Sequence, residues 1–147
     1  MTRMTARQLA VLLLFSMEEN PASPEEAAEL FFSEEHYASL QGEDKIFEEF
    51  PDEEQMAYIR RVTDTAIAHQ EEIDAIIEKH AQGWRKDRLA RTTFAILRCA
   101  LCEICYLDDI SDATAVNEAV EQGKRYDSPK AAAFINGVLG SYLRDNA

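Results

Sequence analysis

Asp112–Leu139 reads DATAVNEAVEQGKRYDSPKAAAFINGVL, and it decides the fold. Its apolar spacing predicts two helices joined by a punctuated turn. Ser111 or Asp112 can cap the first helix. Ala113, Val116, Ala119 and Val120 then share one face. Lys124 and Arg125 fall in its last turn, where cations suit the negative helix end. Ser128-Pro129 marks the second start, with a serine cap followed by a proline whose missing N–H costs nothing there. Phe134, Ile135, Val138, Leu139 and Tyr142 form its apolar stripe. Gly137 lies within that stripe and predicts a close approach by another helix, since glycine does not favour the helix on its own account.

Upstream, residues 3–19 predict a helix that is apolar nearly all round and therefore central, with Leu9, Leu12 and Leu13 on its core side. Arg3, Arg7 and Gln8 lie near its start. Ser23-Pro24-Glu25-Glu26 begins a second helix, expected to run to about Leu40 and to end at Gln41-Gly42. Ile46, Phe47 and Phe50 can tuck a charged loop back onto the core. Asp52 and Gln55 can form a capping box on a third helix, whose stripe is Met56, Ile59, Val62, Thr63, Ala66 and Ile67. A fourth starts near His69 or Gln70, with Ile73, Ile76 and Ile77 inward, and ends at Gly83, with Trp84 anchoring the junction. A fifth begins near Asp87, is strongly apolar from Leu89 to Ile104 and ends at Asp108-Asp109. No stretch alternates like a strand. The expectation is an all-α chain of seven helices in two small packed subdomains, a single domain over 1–147 with halves 1–83 and 84–147.

The chain has 147 residues and a net charge of −13. Fourteen acids and one base, Lys45, fall between Glu18 and Glu54, so this segment holds the whole imbalance. A solvated, self-repelling flank is the plain reading; a surface that docks a basic partner is the sharper one. No apolar run is long enough to span a bilayer. LAVLLLF follows Arg7 but lacks a small-x-small cleavage site, so it reads as helix rather than export signal. The odd count of three cysteines points to a reducing, cytoplasmic setting. Cys99, Cys102 and Cys105 lie on one helix. A closed metal site needs a fourth ligand, so they read as small core residues, with no metal and no cofactor.

Phosphate-loop, dinucleotide, nucleophile-elbow and zinc-protease patterns are all missing, and the chain reads as no enzyme. Glu34-Glu35-His36 and His80 read as surface. Asn117 and Asn136 stand beside apolar stripes and are expected to tie backbone or helix ends together.

AVNEAVEQGKRY and FINGVLG, with DRLARTTFAILRCALCEI before them, resemble the C-terminal signature and long central helix of the NusB family of bacterial transcription antitermination factors. These segments cover about a third of the chain, in the right order. The resemblance implies two helical subdomains and binding of single-stranded boxA RNA together with the small-subunit ribosomal protein NusE. It also implies attachment to the transcription elongation complex on ribosomal RNA operons. Carried over by position, it implies RNA contact by Arg3, Arg7, Gln8, Lys124, Arg125, Tyr126, Lys130 and Phe134, with the two aromatics stacking on bases. It implies NusE contact at Asp87, Arg91 and Thr93. The N-terminal arginine cluster is depleted here, with Met4 and Thr5 where relatives are often basic. That depletion and the acidic charge favour an alternative, a protein–protein module on the same fold with little RNA affinity. The sequence leaves a homodimer open.

Overall fold

The computed structural model describes residues 1–19, 23–81 and 90–147. The described residues form eight α-helices and one short 3₁₀ helix, with no strand. They divide into two compact units, Met1–Asp64 and Thr65–Ala147. The boundary falls within a helix, whereas the sequence reading places it near residue 83. Gly83, Trp84 and Leu89 lie outside the described residues.

The first unit opens with α1, Arg3–Glu19. Ala6, Leu9, Ala10, Val11, Leu13 and Leu14 are all buried, as a helix apolar on nearly every side requires. The predicted second helix is two helices, α2 (Pro24–Phe31) and α3 (Glu34–Ser39). The break comes from Ser33. Its hydroxyl accepts from His36 N and donates to Leu30 O, so it competes with the helix ladder and caps a new start. His36 Nδ1 also lies 2.9 Å from Phe31 O at the end of α2. The chain then turns through Gly42, whose φ of +90° suits a residue without Cβ.

The 3₁₀ helix Lys45–Phe47 buries Ile46 and Phe47. Tyr37 holds this loop by donating its hydroxyl to Glu49 O at 2.6 Å. Burial and then the Glu49 charge push the Tyr37 phenol above its ordinary value. Phe50 was expected to tuck inward; it is 54% exposed, resting edge-on to Tyr37 at 5.1 Å between ring centroids. The next helix, α4 (Glu53–Ala68), starts with the expected capping box. Asp52 Oδ1 accepts from Gln55 N at 2.8 Å, and Gln55 Oε1 accepts from Asp52 N at 2.9 Å. Ile59, Val62, Thr63 and Ala66 are its buried stripe.

The second unit contains α5 (Gln70–His80), α6 (Arg91–Tyr106), α7 (Asp112–Tyr126) and α8 (Pro129–Asp145). Helix α7 packs on both α6 and α8, and α5 packs on the same two helices. This is why α5 belongs with the C-terminal helices. Arg98 on α6 grips Asp74 on α5 through Nε and a second nitrogen, at 2.8 and 3.2 Å. The ring of His69 stacks on Tyr106 at 3.9 Å. The Tyr142 hydroxyl on α8 lies 3.3 Å from Cys105 Sγ on α6.

Two expectations for α7 and α8 are corrected. The buried face of α7 is Ala115, Ala119, Gln122 and Gly123; Ala113 is exposed, and Val116 and Val120 are half-buried. The glycine at the helix contact is Gly123, not Gly137. A Cβ on Gly123 would stand 2.7 Å from Ile135 Cδ1 and 3.1 Å from Ala132 Cα, whereas one on Gly137 would meet nothing within 4 Å. Close backbone approach selects small residues on α7, so hydrophobicity alone picks the wrong face. No described helix is long and apolar enough to cross a membrane.

Candidate nucleic-acid interface

The turn between α7 and α8 is built by backbone and caps. Gly123 O accepts from both Asp127 N (3.1 Å) and Ser128 N (3.0 Å), closing the end of α7. Asp127 leaves helical geometry at φ −136°, ψ −91°, and Ser128 is extended. Ser128 Oγ accepts from Ala131 N at 3.0 Å, and Pro129 occupies the first helical position of α8, as expected. At the other end of α7, the cap is Ser111 rather than Asp112; its side chain accepts from Thr114 N.

This turn displays cations. Lys124, Arg125 and Lys130 are exposed within seven consecutive residues. Lys124 Nζ pairs with Glu121 at 3.2 Å, with both side chains more than half exposed, so solvent screening leaves the pair weak. The Arg125 guanidinium lies 5.5 Å from the Tyr126 ring centroid, a contact that orients both side chains. Tyr126 is half-buried. Phe134 is 1% exposed and belongs to the core, so in this conformation its ring offers no face to a base. Phe134 shares the buried stripe of α8 with Ile135, Val138 and Leu139.

At the start of α6, Arg91 is exposed, and Thr93 is buried at 1% exposure. The Thr93 hydroxyl donates to Asp127 Oδ2 at 2.8 Å, tying α6 to the α7–α8 turn. Asp87 lies outside the described residues. In the other unit, Arg3 is exposed and its guanidinium sits 4.1 Å from the Tyr58 ring centroid. Arg7 and Gln8 are each only 3% exposed. Their position one turn into a helix buried on nearly all sides accounts for that. Of these three, Arg3 is the side chain presented to solvent.

Asn117 and Asn136 are both exposed, not tied into helix ends as expected. They lie off the buried faces set by Gly123 on α7 and by Ile135 and Leu139 on α8. The link the sequence reading missed is Thr93–Asp127. Its partners stand 34 residues apart, and no local pattern joins them.

One further cluster invites a catalytic reading. His80 Nδ1 lies 2.7 Å from Ser141 Oγ, and His80 Nε2 lies 3.7 Å from Asp145 Oδ2. These are the residue types of a nucleophile, its base and an orienting acid. Ser141, however, sits inside α8, where the neighbouring amides are committed to helix bonds and cannot stabilise an oxyanion. The cluster clamps α5 to α8. Cys99 and Cys102 are buried, and no group of three or more metal-type ligands is gathered among the described residues.

Comparison with known proteins sets this geometry in a family. A NusB family profile matches residues 4–144. The transcription antitermination protein NusB of Alkaliphilus oremlandii is 36% identical over 143 residues, spanning 97% of this chain and 94% of that one. That of Symbiobacterium thermophilum is 36% identical over 144 residues, spanning 98% and 90%. Among solved structures, a complex of antitermination factors NusB and NusE with double-stranded RNA aligns with a TM-score of 0.78 at 28% identity, covering 97% of this chain and 96% of its match. The solution structure of NusB from Aquifex aeolicus aligns at 0.69 with 30% identity, covering 98% and 89%. Profile, relatives and fold agree over nearly the whole length, and the chain belongs to the NusB family.

Proposed function

We propose that this chain is an RNA-binding adaptor of transcription antitermination that works in the cytoplasm without catalysis. It binds boxA-type single-stranded RNA together with the ribosomal protein NusE and supports transcription of ribosomal RNA operons within the elongation complex. The observation that carries this reading is the group of exposed cations, Lys124, Arg125 and Lys130, around a turn fixed by caps on both sides. Cations held on rigid elements neutralise phosphates at little cost in ordering. Membership of a family whose solved relative holds NusE and RNA supports it. Tyr126, half-buried beside Arg125, is the aromatic side chain on which a base would stack. In the first unit, Arg3 is an exposed cation of α1 that would contact RNA, and in the second Arg91 is an exposed residue at the α6 start that would meet NusE.

The test is fluorescence anisotropy with a short boxA-like RNA, with and without NusE, at two salt concentrations. Lys124→Glu with Arg125→Glu reverses two cations at exposed positions, and circular dichroism checks that the fold is kept. The double variant is expected to bind more than tenfold more weakly, and its salt slope should fall by about 1.4, at about 0.7 per phosphate contact on a single strand. Unchanged affinity refutes the assignment of this turn.

The burial of Arg7 and Gln8 and the net charge of −13 favour one rival, a protein-binding module on the same fold. Folded protein that binds NusE but no RNA at either salt concentration selects it.

A further inference from the structure

The cationic turn contains one acid. From Lys124 to Lys130 the chain reads KRYDSPK, and Asp127 stands between the cations. A carboxylate in a segment that meets phosphate opposes binding through like-charge repulsion. Yet Asp127 is held at both its backbone and its side chain. Its N–H donates to Gly123 O, and its carboxylate accepts from the hydroxyl of Thr93 at 2.8 Å. Thr93 is 1% exposed in the first turn of α6, so the donor end of this bond is fixed by packing. Asp127 is also where the backbone departs from the helix, at φ −136°, ψ −91°. Its dihedrals set the direction of α8 relative to α7, with Lys124 and Arg125 before the bend and Lys130 after it.

We propose that Thr93 and Asp127 are positioning residues for RNA binding. Their hydrogen bond holds the bend that brings the cations on either side of it into one array, and it pins the opposing carboxylate to α6. The proposal rests on the RNA-binding reading above. It assigns neither residue a contact with the nucleic acid.

Two matched pairs test it. Asp127→Ala and Asp127→Asn remove the same charge, but only the amide keeps an oxygen to accept from Thr93. Thr93→Val and Thr93→Ser change the same buried site, but only serine keeps the donor. RNA affinity is read by anisotropy, and exchange of the Asp127, Ser128 and Ala131 amides is read by NMR in all four variants. Asp127→Ala and Thr93→Val are expected to weaken binding about fivefold, the size of one typical net hydrogen bond, and to speed exchange at these amides. Asp127→Asn and Thr93→Ser should stay within about twofold of the parent by the same reasoning. Simple electrostatics predicts the reverse for Asp127→Ala, since losing an acid should strengthen RNA binding. If the alanine and asparagine variants bind equally well, the positioning role is overturned while the RNA reading stands. If the parent protein binds no RNA, the reading itself fails, and the proposal with it. Asp127 is exposed, so its pair decides the matter even where Thr93→Val disturbs the core.

Discussion

Two glycines in adjacent helices should respond to the same substitution with opposite signs. Replacing a helical glycine by alanine removes chain entropy from the unfolded state and favours the helix by about 0.5–1 kcal/mol. At Gly137 nothing lies within 4 Å of the new Cβ, so Gly137→Ala keeps that gain. At Gly123 the methyl would stand 2.7 Å from Ile135 Cδ1, 3.1 Å from Ala132 Cα and 3.3 Å from Ala132 N. The isoleucine terminus can rotate, but Ala132 presents backbone, and relief there requires α8 to move off α7. Overpacking of this kind costs about 1–3 kcal/mol. At mid-range values, after the helix gain is subtracted, Gly123→Ala is expected to lose about 1 kcal/mol, and the two variants should differ by the overpacking cost alone, about 2 kcal/mol. With a urea slope of about 2 kcal/mol/M, their midpoints should separate by roughly 1 M around the parent value. Circular dichroism during urea titration measures this. A Gly123→Ala midpoint at or above that of the parent refutes the close-approach argument. So does a fall in both variants.

Asp52→Ala removes the side chain that accepts from Gln55 N at 2.8 Å, and unfolding should show a loss of about 1 kcal/mol with α4 otherwise intact. The Tyr142 phenol is pushed up to about 12, first by its hydrogen bond with Cys105 and then by burial. Cys105→Ala should move the titration of Tyr142 down toward 10, read by NMR of ring-labelled tyrosine. The raised value also sets a direction for stability. The contribution of Tyr142 is complete below pH 10 and is lost as pH climbs toward 12, because the unfolded chain gives up that proton first, and the variant should show less of this alkaline loss.

The helix starts were readable because capping is local. Ser23, Asp52, Ser111 and Ser128 each announce themselves within three or four residues, and each caps the helix that follows it. The break at Ser33 was not readable, since a serine inside an apolar periodic run looks like any helix residue. There the hydroxyl wins the amide of His36 while Phe32 and Tyr37 stack at 6.0 Å in an aromatic cluster drawn from separate segments. The inward face of α7 was misjudged for a related reason. Valines mark a hydrophobic face, but this crossing is governed by clearance, and alanine and glycine win it. For the candidate site, the exposed Lys124, Arg125 and Lys130 were visible as charge beside a cap. Phe134 was legible as part of the apolar stripe of α8; the burial of Arg7 and Gln8 was not, because it depends on how many sides of α1 are covered. Thr93–Asp127 required the fold itself.

Helix α6 carries thiols at two depths. Cys99 and Cys102 are closed off from solvent, while Cys105 is partly open beside Tyr142. A thiol reagent can meet Cys105 through side-chain motion alone, but it reaches the other two only when α6 separates from its neighbours. The native chain therefore has a built-in chemical clock. The rate at which the two inner thiols are consumed reports how often this unit opens, with no engineered label.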